Sequence, residues 1–198
     1  MYNIKDAVVR GETIELGNDN YNNIGPNVVF EDCEFIVRAP ARDLIVTGVT
    51  FVRGVWRQKR KLLNKQFSRA SFDGVSFEGK FSGCRWGSRD EPETATLKSC
   101  DFSNAELDAC EFVNVDPGEV TFGPWPTIAY HKPQQLHPLI QDLDAPSRLK
   151  TYLNVIAGRP PEFGLAADHA PSLEKATGVP QDQIHALLKD LPGVVILA

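Results

Sequence analysis

The four cysteines of this sequence are its first candidates for metal or redox chemistry. Each stands two positions before a large aromatic residue, in the pairs Cys33 and Phe35, Cys84 and Trp86, Cys100 and Phe102, and Cys110 and Phe112. A structural zinc or redox site needs close spacing such as C-x-x-C, which the sequence lacks. A buried cysteine behaves as a small apolar residue and is a poor nucleophile. The spacing therefore predicts cysteines that pack in a core, with no metal and no disulfide.

The histidines are the second group that could carry out chemistry. They are His131, His137, His169 and His185, and none has the H-E-x-x-H spacing of a zinc protease. The sequence also lacks a nucleophile elbow and a phosphate loop of Walker type. We therefore expect no cofactor and no catalytic residue. A pocket in which His131, His137 or His169 meets a carboxylate of shifted pKa would instead indicate an enzyme or regulator in the C-terminal part.

A period of five residues positions the cysteines. In residues 100–112, CDFSNAELDACEF, a polar residue stands between a small and a large apolar residue, and this triplet returns every five positions. Large apolar residues continue the series at Phe67, Phe72, Phe77, Phe81, Trp86, Leu97, Phe102, Leu107, Phe112 and Phe122. Such positions form no stripe on a helix and alternate between the faces of a flat strand. A square coil, with one pentad on each side, turns both apolar residues inward and the polar residue outward.

This pattern resembles that of the pentapeptide-repeat family, whose motif is Ala-(Asp/Asn)-Leu-x-x. The likeness is good over residues 66–122 and weak over 28–52, Phe is commoner than Leu at the centre, and residues 87–94 break the run. The resemblance implies a right-handed quadrilateral β-helix with about 20 residues per coil. We therefore expect a mainly β fold, with a β-solenoid of about four coils over residues 28–125 and a small α-helical region after it.

Two segments depart from the repeat in the N-terminal half. Residues 1–27 combine alternating apolar positions with a turn-rich run, and we predict that they cap the solenoid as a strand pair or a first irregular coil. Residues 53–65, RGVWRQKRKLLNK, carry six Lys/Arg and no acidic residue. We interpret them as an insertion, folded as a short helix or a protruding loop, which either packs on the solenoid or contacts a partner or a phosphate group.

Residues 126–198 have a helical pattern. Apolar residues recur at helical spacing in residues 144–158 and 180–193, and a shorter helix is predicted over residues 172–177. The two helices around Gly178 have the order of a helix-turn-helix motif, but few of their side chains could contact DNA. We therefore predict an α-helical C-terminal module that acts as a cap or in oligomerisation, and we do not expect direct binding of nucleic acid.

Acidic side chains on the outside of the coils are the main candidates for binding. In a square coil, Asp101, Glu106 and Glu111 point outward and Asp108 lies near a corner, while the break in the repeat adds Asp90, Glu91 and Glu93. The basic segment adds Trp56, Arg57 and Arg60. A rigid coil holds such charges at fixed spacing, which favours recognition of a partner, although solubility alone also explains polar residues on a rod.

These observations favour a non-catalytic binding protein over an enzyme. The net charge of −5 fits a basic protein partner. No apolar run reaches the roughly 18 residues of a membrane span and the N-terminus lacks a signal-peptide pattern, so we expect a cytoplasmic protein without a membrane partner. Our hypothesis is a bacterial immunity-type protein, monomer or homodimer, that binds and neutralises a cognate toxin. The resemblance implies an alternative, a DNA mimic that acts on a DNA gyrase, and a third alternative is a scaffold for an activity in the C-terminal module.

Overall fold

The computed structural model of the chain describes residues 1–18 and 21–198. The β-strands of these residues are β1 (Asn3–Ile4), β2 (Ala7–Arg10), β3 (Thr13–Leu16), β4 (Asn22–Ile24), β5 (Val28–Val37), β6 (Leu44–Val46), β7 (Val49–Leu63), β8 (Gln66–Phe67), β9 (Ala70–Ser82), β10 (Arg85–Trp86), β11 (Leu97–Lys98), β12 (Cys100–Asp108), β13 (Cys110–Phe112), β14 (Val120–Phe122), β15 (Thr127–His131), β16 (Leu165–His169) and β17 (Val194–Val195). The helices are α1 (His137–Ile140), α2 (Ser147–Ala157), α3 (Ala170–Thr177) and α4 (Gln181–Leu188), with 3₁₀ turns at Ala41–Asp43, Pro92–Thr94, Pro117–Glu119 and Pro133–Leu136. Up to β14 the strands pair in parallel from coil to coil, which is the arrangement of a β-solenoid.

The solenoid has about six turns, counted over the described residues. One inward column passes through every turn, at Ile14, Phe35, Trp56, Phe77, Phe102 and Phe122. The strands that carry this main column, β3, β5, β7, β9, β12 and β14, lie side by side in that order. The expectation of about four coils is therefore wrong.

The additional turns include the segment that was predicted as a cap. Strands β2 and β3 both pair in parallel with β5, and β1 pairs in parallel with β4. The buried residues of these strands, such as Ile14, Leu16 and Ile24, are aliphatic and do not stand in small–polar–aromatic triplets. The five-residue period could not reveal these coils because their core residues lack the pentad pattern.

Stacked aromatic rings fill the solenoid. In the main column, the ring centroids of Phe77 and Phe102 are 4.4 Å apart and their planes are 4° from parallel. In a neighbouring column, the rings of Phe51 and Phe72 stack at 4.8 Å. Full burial of one such side chain contributes about 1.5–3 kcal/mol. The aromatic columns are therefore a main source of the stability of the solenoid.

The cysteines occupy small inward positions between these rings. All four lie in the described part of the chain, where they are buried and form no disulfide. The thiol of Cys110 donates to the carbonyl oxygen of Phe81 on the neighbouring coil at 3.5 Å. Burial raises the pKa of Cys100 to about 11, and it also raises the pKa of Cys110. The prediction that the cysteines pack in the core is confirmed.

The basic segment 53–65 forms a strand, and the prediction of a helix or a loop is wrong. Most of it lies in β7, which pairs with β5 on one side and with β9 on the other. Between the aligned pairs Gln58–Gly79 and Leu62–Phe81, β7 contains two residues more than β9, so the insertion is reduced to a bulge. Apolar residues of β7 still turn inward, but the many charged residues between them hide this alternation in the sequence.

The C-terminal module contains the strands β15, β16 and β17 beside the predicted helices. β15 and β16 pair antiparallel, β16 also pairs with β13 of the solenoid, and β17 lies on the other side of β15. These strands continue one face of the solenoid as a six-stranded sheet. β15 and β16 could hardly be recognised from their residues alone. Both are short, and LAADH in β16 is rich in alanine, which has a low propensity for strands.

The helices of the module pack on this extended sheet. The helices predicted in residues 144–158, 172–177 and 180–193 are confirmed as α2, α3 and α4. Their buried residues, among them Leu149 and Leu153 of α2, form a second core with the sheet. In the described part of the chain, every helix is too short or too polar to span a membrane.

Candidate functional site between the solenoid and the C-terminal module

Acidic residues that were predicted to face outward are bound by basic residues of nearby strands. The pairs are Lys80 with Glu106 at 2.7 Å, Lys61 with Asp108 at 3.0 Å and Arg85 with Glu111 at 2.7 Å. Lys80 with Glu106 and Arg85 with Glu111 occupy aligned positions of neighbouring coils, about 4.8 Å apart, whereas Lys61 reaches Asp108 from two coils away. Three of the predicted binding residues, Glu106, Asp108 and Glu111, therefore already hold parts of the protein together.

The other acidic candidates lie on a coil face and in a loop. Asp101 accepts a hydrogen bond from the backbone N–H of Ser103 at 2.8 Å, which orients its carboxylate. Asp90, Glu91 and Glu93 are exposed between β10 and β11, in the predicted break of the repeat. The acidic candidates are thus spread over several elements.

The candidates from the basic segment divide between core and surface. Trp56 is fully buried in the main column, so its side chain cannot contact a partner. Arg57 donates to Glu34 at 2.5 Å and forms a second ion pair with Glu78, which lie on the coils to either side. Arg60 is exposed on the bulge of β7. Of these three residues, only Arg60 keeps a largely exposed position.

An open groove of about 610 Å³ separates the solenoid from helix α3, and we call it the α3 groove. It is lined by Lys61, Lys80, Glu106, Asp108, His169, Pro171, Ser172, Lys175 and Ala176. The imidazole Nδ1 of His169 lies 3.8 Å from Glu106. Burial nevertheless lowers the pKa of His169, which outweighs the opposite effect of Glu106. The groove therefore combines two of the predicted acidic residues with lysines and a largely neutral histidine.

A smaller space lies at the seam between helix α2 and the extended sheet. This seam cavity has a volume of about 130 Å³. The sheet side is lined by Ala109, Cys110, Glu111, Leu165, Ala166, Ala167 and Asp168, and the opposite side by Pro133, Tyr152, Val155, Ile156, Arg159 and Phe163. Most of these side chains are apolar, as in small-molecule pockets, but the volume is below the roughly 300 Å³ of a typical one.

The carboxylate of Asp168 is the unusual polar group of the seam cavity. Its Oδ1 accepts hydrogen bonds from the Tyr152 hydroxyl at 2.7 Å and from the Ala109 N–H at 2.9 Å. Its Oδ2 is buried and accepts no hydrogen bond of good geometry from the described residues, although the Tyr130 hydroxyl is close enough to interact with the carboxylate. Burial raises the pKa of Asp168 to about 6, against the lowering effect of Tyr152 and Ala109.

No basic side chain of the described residues forms an ion pair with Asp168. Arg159, which lines the same cavity, donates to Glu111 at 2.8 Å instead. Glu111 also accepts from Arg85 and so connects the end of the solenoid with the loop after α2. The seam cavity therefore contains a buried negative charge without a positive partner, which is an uncommon and unfavourable arrangement.

The lining of the seam cavity contains a cysteine, Cys110. Burial raises the pKa of this thiol. Among the described residues, His131, His137 and His169 do not line the cavity. The carboxylate of Asp168, whose pKa is raised, therefore has no histidine beside it in the cavity. Residues 1–18 and 21–198 also contain no group of three His, Cys, Asp or Glu that could hold a metal ion.

Neither Asp168 nor Tyr152 is among the residues that the sequence predicted for binding. The hydrogen bond from Ala109 to Asp168 joins residues 59 positions apart, and no repeat relates the two segments. One signal was present, because an aspartate in the otherwise apolar run LAADHA is placed where burial is expected.

Comparison of the chain with protein-family models, with curated proteins and with solved structures finds no significant match.

Proposed function

We propose that this chain is a non-catalytic protein-binding module whose contact surface includes the α3 groove. The observation that carries this proposal is the arrangement of fixed charges on the solenoid wall of the groove. Lys80 and Glu106 are held together at 2.7 Å, and Lys61 and Asp108 at 3.0 Å. Side chains that are already ordered lose little conformational entropy when a partner binds, so more of the interaction energy contributes to affinity.

The specific form of the proposal is an immunity-type protein of the bacterial cytoplasm that covers and neutralises a toxin. The net charge of −5 would steer a basic protein toward the molecule. The α3 groove has both signs of charge, so it would orient a bound partner, whereas the net charge of the molecule would attract it. Four free thiols suit a reducing compartment.

The proposal for the solenoid itself is a right-handed quadrilateral coil of the pentapeptide-repeat type. Phe30, Phe51 and Phe72 are aligned on successive coils and stand 21 residues apart, which is close to four pentads. Other coils are longer, because the loop with the 3₁₀ turn Pro92–Thr94 lies between Phe72 and its aligned residue Leu97.

The charge pattern of the coils supports protein binding more than DNA mimicry. A DNA mimic needs rows of acidic groups that remain available to a partner. On this solenoid Arg57 stands between Glu34 and Glu78, and Lys80 and Arg85 bind Glu106 and Glu111. We therefore propose no action on a DNA gyrase.

A pull-down with matched variants tests the role of the α3 groove. Ser172→Arg places a long side chain in the groove, whereas Gln183→Arg makes a similar change at an exposed position of α4 outside it. We expect wild type and Gln183→Arg to retain the same protein from a native lysate after a high-salt wash, and Ser172→Arg to lose at least about 90% of it. The retained protein should then lose its own activity when it is mixed with wild type.

Two results would contradict the proposal. Retention of no stoichiometric protein by wild type would argue against a protein-binding module. Equal retention by Ser172→Arg and Gln183→Arg would argue against the α3 groove as the contact surface.

A further inference from the structure

The buried charge of Asp168 lacks the compensation that other carboxylates of this protein have. Asp168 is only 2% exposed. The groups around its carboxylate are the Tyr152 hydroxyl, the Tyr130 hydroxyl, the Ala109 N–H and the carboxylate of Asp108, so none of them is a cation. Removal of an ionised carboxylate from water is costly unless a positive group accompanies it. A cation bound beside the carboxylate would reduce this cost.

The seam cavity can admit such a cation. Asp168 is part of its wall, and so are Tyr152 and Ala109, which both donate to Oδ1, so the Oδ1 side of the carboxylate lies nearest the cavity. Its volume of about 130 Å³ is close to the roughly 150 Å³ of an engineered protein cavity that holds benzene. Val155, Ile156 and Leu165 give the wall an apolar character. The space therefore suits about five or six non-hydrogen atoms, mostly carbon.

We propose that the seam cavity binds the ammonium group of a short primary alkylamine, with Asp168 as its counter-ion. The ammonium group donates to the carboxylate of Asp168 from the cavity side, and the alkyl chain contacts the apolar wall. The Tyr152 hydroxyl donates to Oδ1 of Asp168, which leaves its own oxygen as a second acceptor beside the cavity. This site lies apart from the α3 groove and does not depend on the proposed protein partner.

The composition of the cavity favours a primary ammonium over other ligands. An anion would meet the charge of Asp168 in an apolar environment, where like charges repel strongly. A neutral molecule would leave the buried charge uncompensated. Arg159 at the cavity wall does not replace the ligand, because Glu111 already accepts its hydrogen bond at 2.8 Å.

The same chemistry has two possible sources, a free small amine or the lysine side chain of a protein. Titration with n-butylammonium and with the blocked amino acid Nα-acetyl-lysine methylamide separates them. If n-butylammonium binds tightly and the blocked lysine does not, the ligand is a free amine, because the cavity wall excludes a peptide backbone. Binding of the blocked lysine with at least equal affinity identifies a protein side chain.

Calorimetric or NMR titration of the full chain, above the pH at which Asp168 ionises, tests the site. We expect n-butylammonium to bind wild type at least about 10-fold more tightly than n-butanol, which has the same shape without the charge. Asp168→Asn preserves the size of the residue and should weaken n-butylammonium by about 30-fold or more. Asp190→Asn makes the same change at an exposed position and should leave the affinity unchanged.

A second variant tests the location if Asp168→Asn does not fold. Val155 lines the cavity but is 59% exposed, so Val155→Trp should fold and obstruct the cavity without a change at Asp168. We expect this variant to lose n-butylammonium binding. Equal affinity of wild type for n-butylammonium and n-butanol, no binding of either ammonium probe, or unchanged binding by Asp168→Asn or Val155→Trp would each overturn the proposal.

Discussion

The solenoid and the seam beside it place their charged residues in different surroundings. On the coils, Arg57 lies between two glutamates, and Lys80 and Glu106 are 2.7 Å apart, with solvent access to every group. At the seam, Asp168 is 2% exposed and has no cationic partner among the described residues. The first arrangement changes the free energy of unfolding little, whereas the second is costly.

The topology explains this difference. In the solenoid, each coil repeats the positions of the previous one at about 4.8 Å. A basic and an acidic residue at aligned positions of neighbouring coils are therefore close enough to form an ion pair. At the seam, β16 runs antiparallel to β13 and brings together segments with no repeat relation. An uncompensated charge in this place is not a consequence of the repeat. It is therefore more informative about function than the acidic rows.

The largest effect is expected from the aromatic core of the solenoid, and it tests whether packing rather than charge stabilises the coils. Phe77 is fully buried and contacts the rings of Trp56, Phe72, Phe81, Trp86 and Phe102. Phe77→Ala should lower the free energy of unfolding by about 3–5 kcal/mol, because it removes these contacts and leaves a cavity. Urea unfolding measures the change.

Tyr21→Ala serves as the control for Phe77→Ala. Tyr21 is 60% exposed, so removal of its ring should change the free energy of unfolding by no more than about 0.5 kcal/mol. A similar, small effect of both substitutions would show that the aromatic columns contribute less than their burial indicates. Packing of the aromatic rings would then not be the main source of stability of the solenoid.

The next effect concerns the pH dependence of stability. The pKa of Asp168 is about 6 in the folded chain, whereas an aspartate in the unfolded chain has the ordinary value of 3.8. Between these two pH values the folded state therefore binds more protons than the unfolded state. Stability therefore falls as the pH rises through this window, and the loss is complete above about pH 6, where it amounts to roughly 3 kcal/mol. Asp168→Asn lacks this titration.

Urea unfolding of wild type and Asp168→Asn near pH 4 and near pH 7 measures the difference, because the other titrating groups are common to both proteins. We expect wild type to lose roughly 2 kcal/mol more than the variant between these conditions, because a small part of the titration is already complete at pH 4. Parallel pH profiles of the two proteins would show that the Asp168 carboxylate is compensated in the folded chain. In that case the contrast between coil and seam would disappear.

The sequence predicted the parts of this fold that repeat and missed the parts that do not. The pentad series identified the inward residues from Phe67 to Phe122, and all of its named members are buried. The helical spacing of Leu149 and Leu153 likewise identified α2. Both predictions succeed because a local period specifies which side of an element is buried.

The remaining features depend on contacts between distant segments. Residues 3–16 join the solenoid through parallel pairing with β4 and β5, although they lack its pentad pattern. β16 is a strand because it lies between β13 and β15, and a short alanine-rich segment has little propensity of its own to form one. The Asp168 site follows from that pairing, so it could not be predicted before β16 was placed.

The acidic candidates show the same limit in another way. Their outward direction on the coils follows from the period. The ion pair of Lys61 with Asp108 does not follow from it, because the two residues are 47 positions apart and the pair depends on the bulge in β7, which the sequence did not reveal. Trp56 was assigned to a contact surface for the same reason, since an insertion would have exposed it whereas a strand turns it inward.

The smallest effect is expected from the charge pairs of the coils. Arg57→Met keeps most of the length of the side chain and removes its ion pairs with Glu34 and Glu78. We expect Tm to change by less than about 4 °C, because exposed ion pairs gain little over their hydration in water. Thermal unfolding followed by circular dichroism measures the shift, and added salt should reduce it further.

Arg42→Met is the control for Arg57→Met, since Arg42 is 86% exposed and lies 3.7 Å from Asp43. If Arg57→Met lowers Tm much more than Arg42→Met and salt does not reduce the difference, the Arg57 pairs are part of the structural core of the solenoid. The outer charges of the coils would then be under structural constraint. If both shifts are small, charges on the coil faces can be substituted at little cost in stability. These residues could then evolve for the binding of a partner without loss of the fold.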